Sequence, residues 1–350
     1  MSTSRARDGP GPAFGPHQPT LGPASRLIAT VEHTMSSSSH PSAVRSHDAP
    51  FSSSDEPLSS RTSSLPVALP RLVKFSSLID DVVLEAHEAH EARQGGAARH
   101  PLTGFSRLDE KIGGSLPRAG TVVVLGNTGA GKTAFALQVA AQCAFPSLYV
   151  STEMAPTELF RRQMARLSGI FLGRFKSGEL SPEEVKTIAH RTAAALPDLC
   201  FIDATRAPAT SRFILDCASI AQGEAAHLLV VIDSLHTWTR SNAGGAPEYE
   251  ALGAALSSVQ TLSHTLGAPI LLICEQSRSA MDGGGVNSGA GNRFIEYGAE
   301  LVMELQAAKE SDAATGKTPV TLRLAKNRHG AAGATVKFAF HGALQRFEEV

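Results

Sequence analysis

The sequence predicts an α/β fold: a mostly parallel sheet covered by helices and extended near the C-terminus by β-hairpin strands. Three observations predict it. From Thr103 onward, short apolar runs alternate with helical patterns, which is the order that parallel strands with helical crossovers require. A glycine-rich stretch, Gly126 to Gly131, stands where the first such run meets the first such helix. Beyond Leu301 the helical patterns give way to strand patterns separated by glycine-rich turns, as in hairpins.

The first 70 residues hold ten of the twenty prolines, serine clusters such as Ser36 to Ser39, and few large apolar side chains. Such a stretch cannot bury enough surface to offset its ordering entropy, so residues 1–70 are expected to be a disordered tail. Residues 71–100 are expected to form a linker. Within it Leu78, Ile79, Val82, Val83, Ala86 and Ala89 recur at helical spacing, so Ser77 to Ala92 reads as an amphipathic helix. Ser77 with Asp80 resembles a capping box and Gly95-Gly96 ends the helix. Its apolar face needs a surface to dock on.

Residues 101–350 are expected to form one domain. Its parallel strands are read at Thr121 to Leu125, Ser147 to Ser151, Leu199 to Asp203, Leu228 to Asp233 and Pro269 to Cys274. Helices are read at Lys132 to Phe145, Pro156 to Leu167, Pro182 to Leu196 and Glu248 to Leu266. Ser181-Pro182-Glu183-Glu184 gives one of these a defined start, with serine as cap, proline in the first turn and glutamate reaching back. The hairpin strands follow at Leu301 to Leu305, Val320 to Lys326 and Thr335 to Phe340.

Composition excludes several classes. No apolar run approaches the roughly 18 to 20 residues of a membrane span, so no membrane partner is expected. The four cysteines, Cys143, Cys200, Cys217 and Cys274, form no C-x-x-C pair, which argues against a zinc ribbon or disulfide scaffold and for a reducing, cytoplasmic setting. Formal net charge is −1, so a nucleic-acid partner would have to be met by a local patch.

The chemistry is concentrated in Gly126-Asn127-Thr128-Gly129-Ala130-Gly131-Lys132-Thr133, a complete G-x-x-x-x-G-K-T after a strand and opening a helix. Its glycines let backbone N–H groups face a polyphosphate, the helix N-terminus adds favourable potential, Lys132 reaches the β and γ phosphates, and Thr133 can hold Mg²⁺. Asp233 ends an apolar strand, where an acid can bind the magnesium shell beside the phosphate loop or simply cap a turn. Glu153, just past Ser147 to Ser151, is the best-placed acid to orient or deprotonate water, and it equally suits the start of a helix. Gln276 follows a strand, where its amide could sense the γ-phosphate or be merely solvated. Lys326 and Arg328 close a strand before Gly330, a common place for solvated basic residues.

These residues join others in an ordered set. Leu102-Thr103-Gly104-Phe105-Ser106-Arg107-Leu108-Asp109, Ser151-Thr152-Glu153-Met154, the Gln276 strand, Ile295-Glu296 with Ala299-Glu300, Ala325-Lys326-Asn327-Arg328-His329-Gly330 and Arg346-Phe347-Glu348 follow one another along the chain. Together they resemble the ATPase domain of the DnaB-type replicative helicases, a branch of the RecA-fold ATPases, over about Leu78 to Val350. The resemblance implies ATP and Mg²⁺ as cofactors, Glu153 as catalytic glutamate, Gln276 as γ-phosphate sensor and Arg162 as an arginine near the nucleotide. It implies that Lys326 and Arg328 reach into a neighbouring subunit's ATP site. A homo-oligomeric ring, six-fold, follows, with single-stranded DNA as partner and the linker helix packing on the next subunit.

The chain departs from that family in three places. Where the family has a globular N-terminal domain, the Pro/Ser-rich tail is expected in its place. Ser234-Leu235-His236-Thr237 after Asp233 is closer to the RadA and KaiC branches. Where the family carries an arginine-glutamate-serine-glycine run before Ile295, this chain has Ala290-Gly291-Asn292-Arg293. Two functions therefore compete: a helicase or translocase using loops 277–293 and 240–247 on DNA, or a RadA/KaiC-like ATPase without unwinding. Trp238 is the one conspicuous base-stacking candidate, and a core-edge residue is its better reading.

Overall fold

The computed structural model describes residues 72–275, 298–312 and 314–350. The expected tail, Gln276 and the expected DNA loop 277–293 lie outside the described residues.

A 3-10 turn, Phe75–Leu78, leads into α1, Ile79–Gly95. The expected Ser77/Asp80 capping box does not form. Ser77 Oγ instead donates to the Lys74 carbonyl at 2.8 Å within the 3-10 turn, so the helix starts two residues late with Leu78 as its side-chain-free cap. Gly96 ends it at φ +65°. No residue of α1 is buried, and Ile79, Val82 and Val83 are each 61–62% exposed. The apolar face exists, and nothing within the described chain covers it.

The body runs α2 (Ser106–Ile112), β1 (Gly120–Gly126), α3 (Lys132–Gln142), β2 (Ser147–Ser151), α4 (Pro156–Ser168), α5 (Arg174–Ser177) and α6 (Pro182–Ala195). It continues through β3 (Leu199–Asp203), α7 (Ser211–Gln222), β4 (Leu229–Asp233), α8 (Leu235–Asn242), α9 (Glu248–Leu266) and β5 (Pro269–Glu275). The last strands are β6 (Leu301–Ala307), β7 (Lys317–Asn327), β8 (Thr335–His341) and β9 (Arg346–Glu349). Among the described residues the strands form one sheet in the order β3-β2-β4-β5-β1-β6-β7-β8-β9. The first six are parallel, and β7, β8 and β9 extend the sheet antiparallel.

Strand alternation divides the core. Val122 and Val124 of β1 join Phe105, Phe135, Tyr149, Phe338 and Phe347 on one face. Val123 and Leu125 join Ile214, Trp238, Leu256 and Val259 on the other, under α7, α8 and α9. Every residue of β1 and β4 is buried, which is why these read as unbroken apolar runs.

The Ser181 capping box forms in both directions, at 3.2 Å to Glu184 N–H and 2.8 Å back to Ser181 N–H. The helix expected to reach Phe145 stops at Gln142, and Ala144 turns the chain at φ +68°. The short strand β9 has a use the sequence did not announce. Buried Gln138 of α3 both donates to and accepts from the Phe347 backbone, at 3.0 and 2.8 Å. At its far end the Glu349 carboxylate accepts from Ser106 Oγ, Arg107 N–H and Leu108 N–H, acting as a remote N-cap for α2.

Candidate active site

The phosphate loop leaves the carboxyl end of β1 and enters α3 through Gly131. Gly131 sits at φ +85°, and a Cβ on it would come within 2.9 Å of the Phe347 ring, so both backbone angle and packing require glycine. Asn127, Thr128 and Gly129 are exposed while Ala130 behind them is buried, so the loop presents one open face. Lys132 Nζ folds over the loop and donates to the Gly126 and Asn127 carbonyls at 2.8 and 3.0 Å. Burial pulls its ammonium below the ordinary lysine value, and the Glu275, Asp233 and Glu153 carboxylates oppose that pull.

Three carboxylates, at or just past the ends of three strands, are thus within electrostatic reach of one lysine. Asp233 is 5% exposed at the end of β4, and its Oδ2 accepts from the Tyr149 hydroxyl at 2.7 Å. Burial raises its pKa, opposed by hydrogen bonds from the Tyr149 and Thr133 hydroxyls. Its carbonyl accepts from Thr152 N–H and Thr152 Oγ1 at 2.8 and 2.9 Å, which locks β4 to the turn carrying Glu153. Glu153 is exposed; its Oε1 accepts from Ser234 Oγ at 2.5 Å and Thr237 Oγ1 at 2.8 Å.

Thr133 and Asp233 together suit Mg²⁺, which typically takes one or two protein oxygens and completes its shell with waters and substrate phosphates. No cluster of three His, Cys, Asp or Glu residues able to hold a metal by itself occurs among the described residues. The donor chemistry therefore fits a metal brought in with a polyphosphate.

Arg162, on α4, donates through Nη1 to Gln345 Oε1, and its charge favours ionisation of Tyr149, the donor to Asp233. Arg166, one turn further, is held near Arg346, and burial with that like charge lowers its pKa to about 10. The sequence marks Arg162, carries Thr152, Ser234, Thr237 and Arg346 only inside motifs without a role of their own, and does not single out Glu275, Tyr149 or Arg166. One signal was available: Glu275 directly follows the apolar run Pro269 to Cys274, much as Asp233 closes its own.

Lys326 and Arg328 are not brought to this site. Lys326 pairs with Val302 in the β6–β7 ladder, and Arg328 N–H donates to the Glu300 carbonyl at 3.0 Å. Glu300 N–H in turn donates to the Thr121 carbonyl at 2.9 Å, at the amino end of β1. About five residues of strand, roughly 17 Å, separate that point from Gly126. Trp238 is 3% exposed and donates through Nε1 to the Ala209 carbonyl at 2.6 Å, so it is a core residue. In the 240–247 segment, Arg240 donates through Nη2 to Thr237 Oγ1 at 3.2 Å.

A phosphate loop between β1 and α3, acids at the ends of the neighbouring parallel strands and an antiparallel extension define a RecA-like P-loop ATPase fold. A solved ATPase domain superposes with a TM-score of 0.66 at 17% identity, over 78% of this chain and 98% of that one. A solved DnaB-like replicative helicase superposes with a TM-score of 0.63 at 17% identity, over 77% of this chain and 66% of that one. Residues 102–349 match the family model of the DnaB-like helicase C terminal domain, and the chain belongs to that family. The replicative DNA helicase DnaB of Geobacillus stearothermophilus is 25% identical over 284 residues, 77% of this chain and 61% of that protein. The DNA repair protein RadA of Mycolicibacterium smegmatis is 26% identical over 250 residues, 70% and 44% respectively. The chain spans less than two thirds of these two relatives.

Proposed function

We propose that the protein is an ATP-driven helicase or translocase that acts on single-stranded DNA as a ring of identical subunits, hydrolysing ATP where two subunits meet. The observation that carries this is the convergence of Lys132, Thr133, Asp233 and Glu153 on one loop in a chain of this family. The loop's N–H groups and the start of α3 bind the triphosphate, and Lys132 swings from the Gly126 and Asn127 carbonyls onto the β and γ phosphates. Thr133 and Asp233 would hold Mg²⁺, which when bound would supply positive charge to offset that on the phosphate oxygens. Ser234 and Thr237 both address Oε1 of Glu153, leaving Oε2 to orient the attacking water and take its proton. Arg162 sits by the nucleotide, and Gln276 senses the γ-phosphate.

Lys326 and Arg328 act in trans. Their position at the amino end of β1 keeps them from their own phosphate loop, and an arginine finger in a neighbour's site is worth about 10³ to 10⁵ in rate. The exposed apolar face of α1 packs on the next subunit. The four cysteines suit a reducing cytoplasm, and no helix among the described residues is long and apolar enough to cross a membrane.

One observation favours the RadA/KaiC-like reading: Trp238 is buried, which withdraws the stacking aromatic nearest the site. ATP turnover with and without single-stranded DNA decides between them. Stimulation and binding are expected; hydrolysis indifferent to DNA, with no binding, would sink the translocase reading.

A further inference from the structure

We propose that Glu300 is the positioning residue for Arg328, a role that rests on the trans-acting reading above. Glu300 holds Arg328 twice, by its backbone carbonyl to Arg328 N–H at 3.0 Å and by Oε1 to Arg328 Nη1 at 2.9 Å. Its other oxygen lies 3.5 Å from His329 Nε2, so one carboxylate gathers two consecutive residues of the arm.

Glu300 is itself anchored. Its N–H is tied to the Thr121 carbonyl, and its side chain is 23% exposed against 52% for Arg328. Its methylenes pass over Gly120, where φ is +121° and a Cβ would come within 2.5 Å of Glu300 Cγ. The first residue of β1 is thus the one type that lets this side chain lie where it does.

The pair is poorly suited to a merely stabilising role, because an exposed ion pair contributes little to folding. It suits pre-organisation. An unrestrained arginine side chain must give up its rotamer freedom to reach a phosphate, whereas one already held by Glu300 has given up part of that freedom beforehand. Glu300 acts through Arg328.

Single-turnover ATP hydrolysis by the assembled full-length chain tests this in four forms: Glu300→Ala, Glu300→Gln, Arg328→Ala and the Glu300→Ala/Arg328→Ala double variant. Glu300→Ala is expected to slow the chemical step about 5- to 10-fold with KM for ATP within about twofold of the parent. Glu300→Gln, which keeps the shape and an acceptor and guards against a folding defect, should fall between. In the Arg328→Ala background, Glu300→Ala should add nothing. Equal losses in both backgrounds, or no loss from Glu300→Ala beside a large one from Arg328→Ala, overturn the positioning role alone. If Arg328→Ala itself keeps full turnover, the trans-acting reading fails first and takes this one with it.

Discussion

The two ends of β1 carry different kinds of chemistry. At the carboxyl end, Lys132 and Asp233 are nearly buried and tightly hydrogen-bonded, with Glu153 held by two hydroxyls at the rim. At the amino end, Arg328 and His329 are half exposed and gathered on Glu300. The first end is assembled inside one chain by neighbouring strands. The second is half exposed, and on the proposed reading it serves a neighbouring subunit's site. In the proposed ring, each subunit would carry most of one site and a fragment of the next.

Removing the centre of the buried end should have the largest effect. Lys132→Ala is expected to bring ATP hydrolysis below detection in a phosphate-release assay, because on the proposed reading this ammonium is the group that reaches the β and γ phosphates. Residual turnover near the parent's would break the contrast by showing that this end is not where chemistry occurs. Arg328→Ala should cost about 10³-fold in turnover while binding of an ATP analogue stays unchanged. Mixing the two variants should restore part of the activity, since one supplies an intact loop and the other an intact arm. Failure to restore it at every ratio would mean that the ends do not meet between subunits.

The ends also differ in how far they could be read from sequence. The phosphate loop, Asp233 and Glu153 are local signals, each fixed by its place after an apolar run, and the strands β2 and β3 fall where those runs fall. What was hidden is what joins distant residues: Tyr149 to Asp233, Thr152 to the β4 carbonyl, Gln138 to β9, Glu300 to Arg328. Strand β9 was missed because only Phe347 among its four residues is apolar, and its pairing depends on β8 and a buried glutamine. The two candidate caps make the same point. Ser181 has Glu184 to reach back, whereas Ser77 is followed by Asp80, too short to do so, and its hydroxyl turns to Lys74.

A smaller effect sharpens the account of the buried end. Tyr149→Phe deletes the hydroxyl that donates to Asp233 at 2.7 Å and leaves a 5% exposed carboxylate short of a donor. The expected cost is about 1 to 3 kcal/mol in urea unfolding. With that opposing hydrogen bond gone, burial raises the Asp233 pKa further. An unchanged midpoint would show that the Thr133 hydroxyl and Lys132 already satisfy Asp233 without it.

The smallest effect belongs to the amino end, where His100 packs its ring edge-on against His227, 4.6 Å between centroids, beside Arg99 and Arg118. Burial, then the neighbouring His227, Arg99 and Arg118, lower the His100 pKa from 6.5 to about 4, and burial lowers that of His227 as well. Between those values the unfolded chain binds a proton that folded His100 refuses. Stability is therefore complete above pH 6.5 and falls as pH drops toward 4. After allowing for the solvent screening of a half-buried ring, the loss is about 1 kcal/mol. Unfolding midpoints measured across that range should decline for the parent and decline less for His100→Phe, which keeps an edge-on aromatic contact with no proton to refuse. Parallel curves would assign the acid sensitivity to other groups and leave the amino end electrostatically inert apart from its exposed arm.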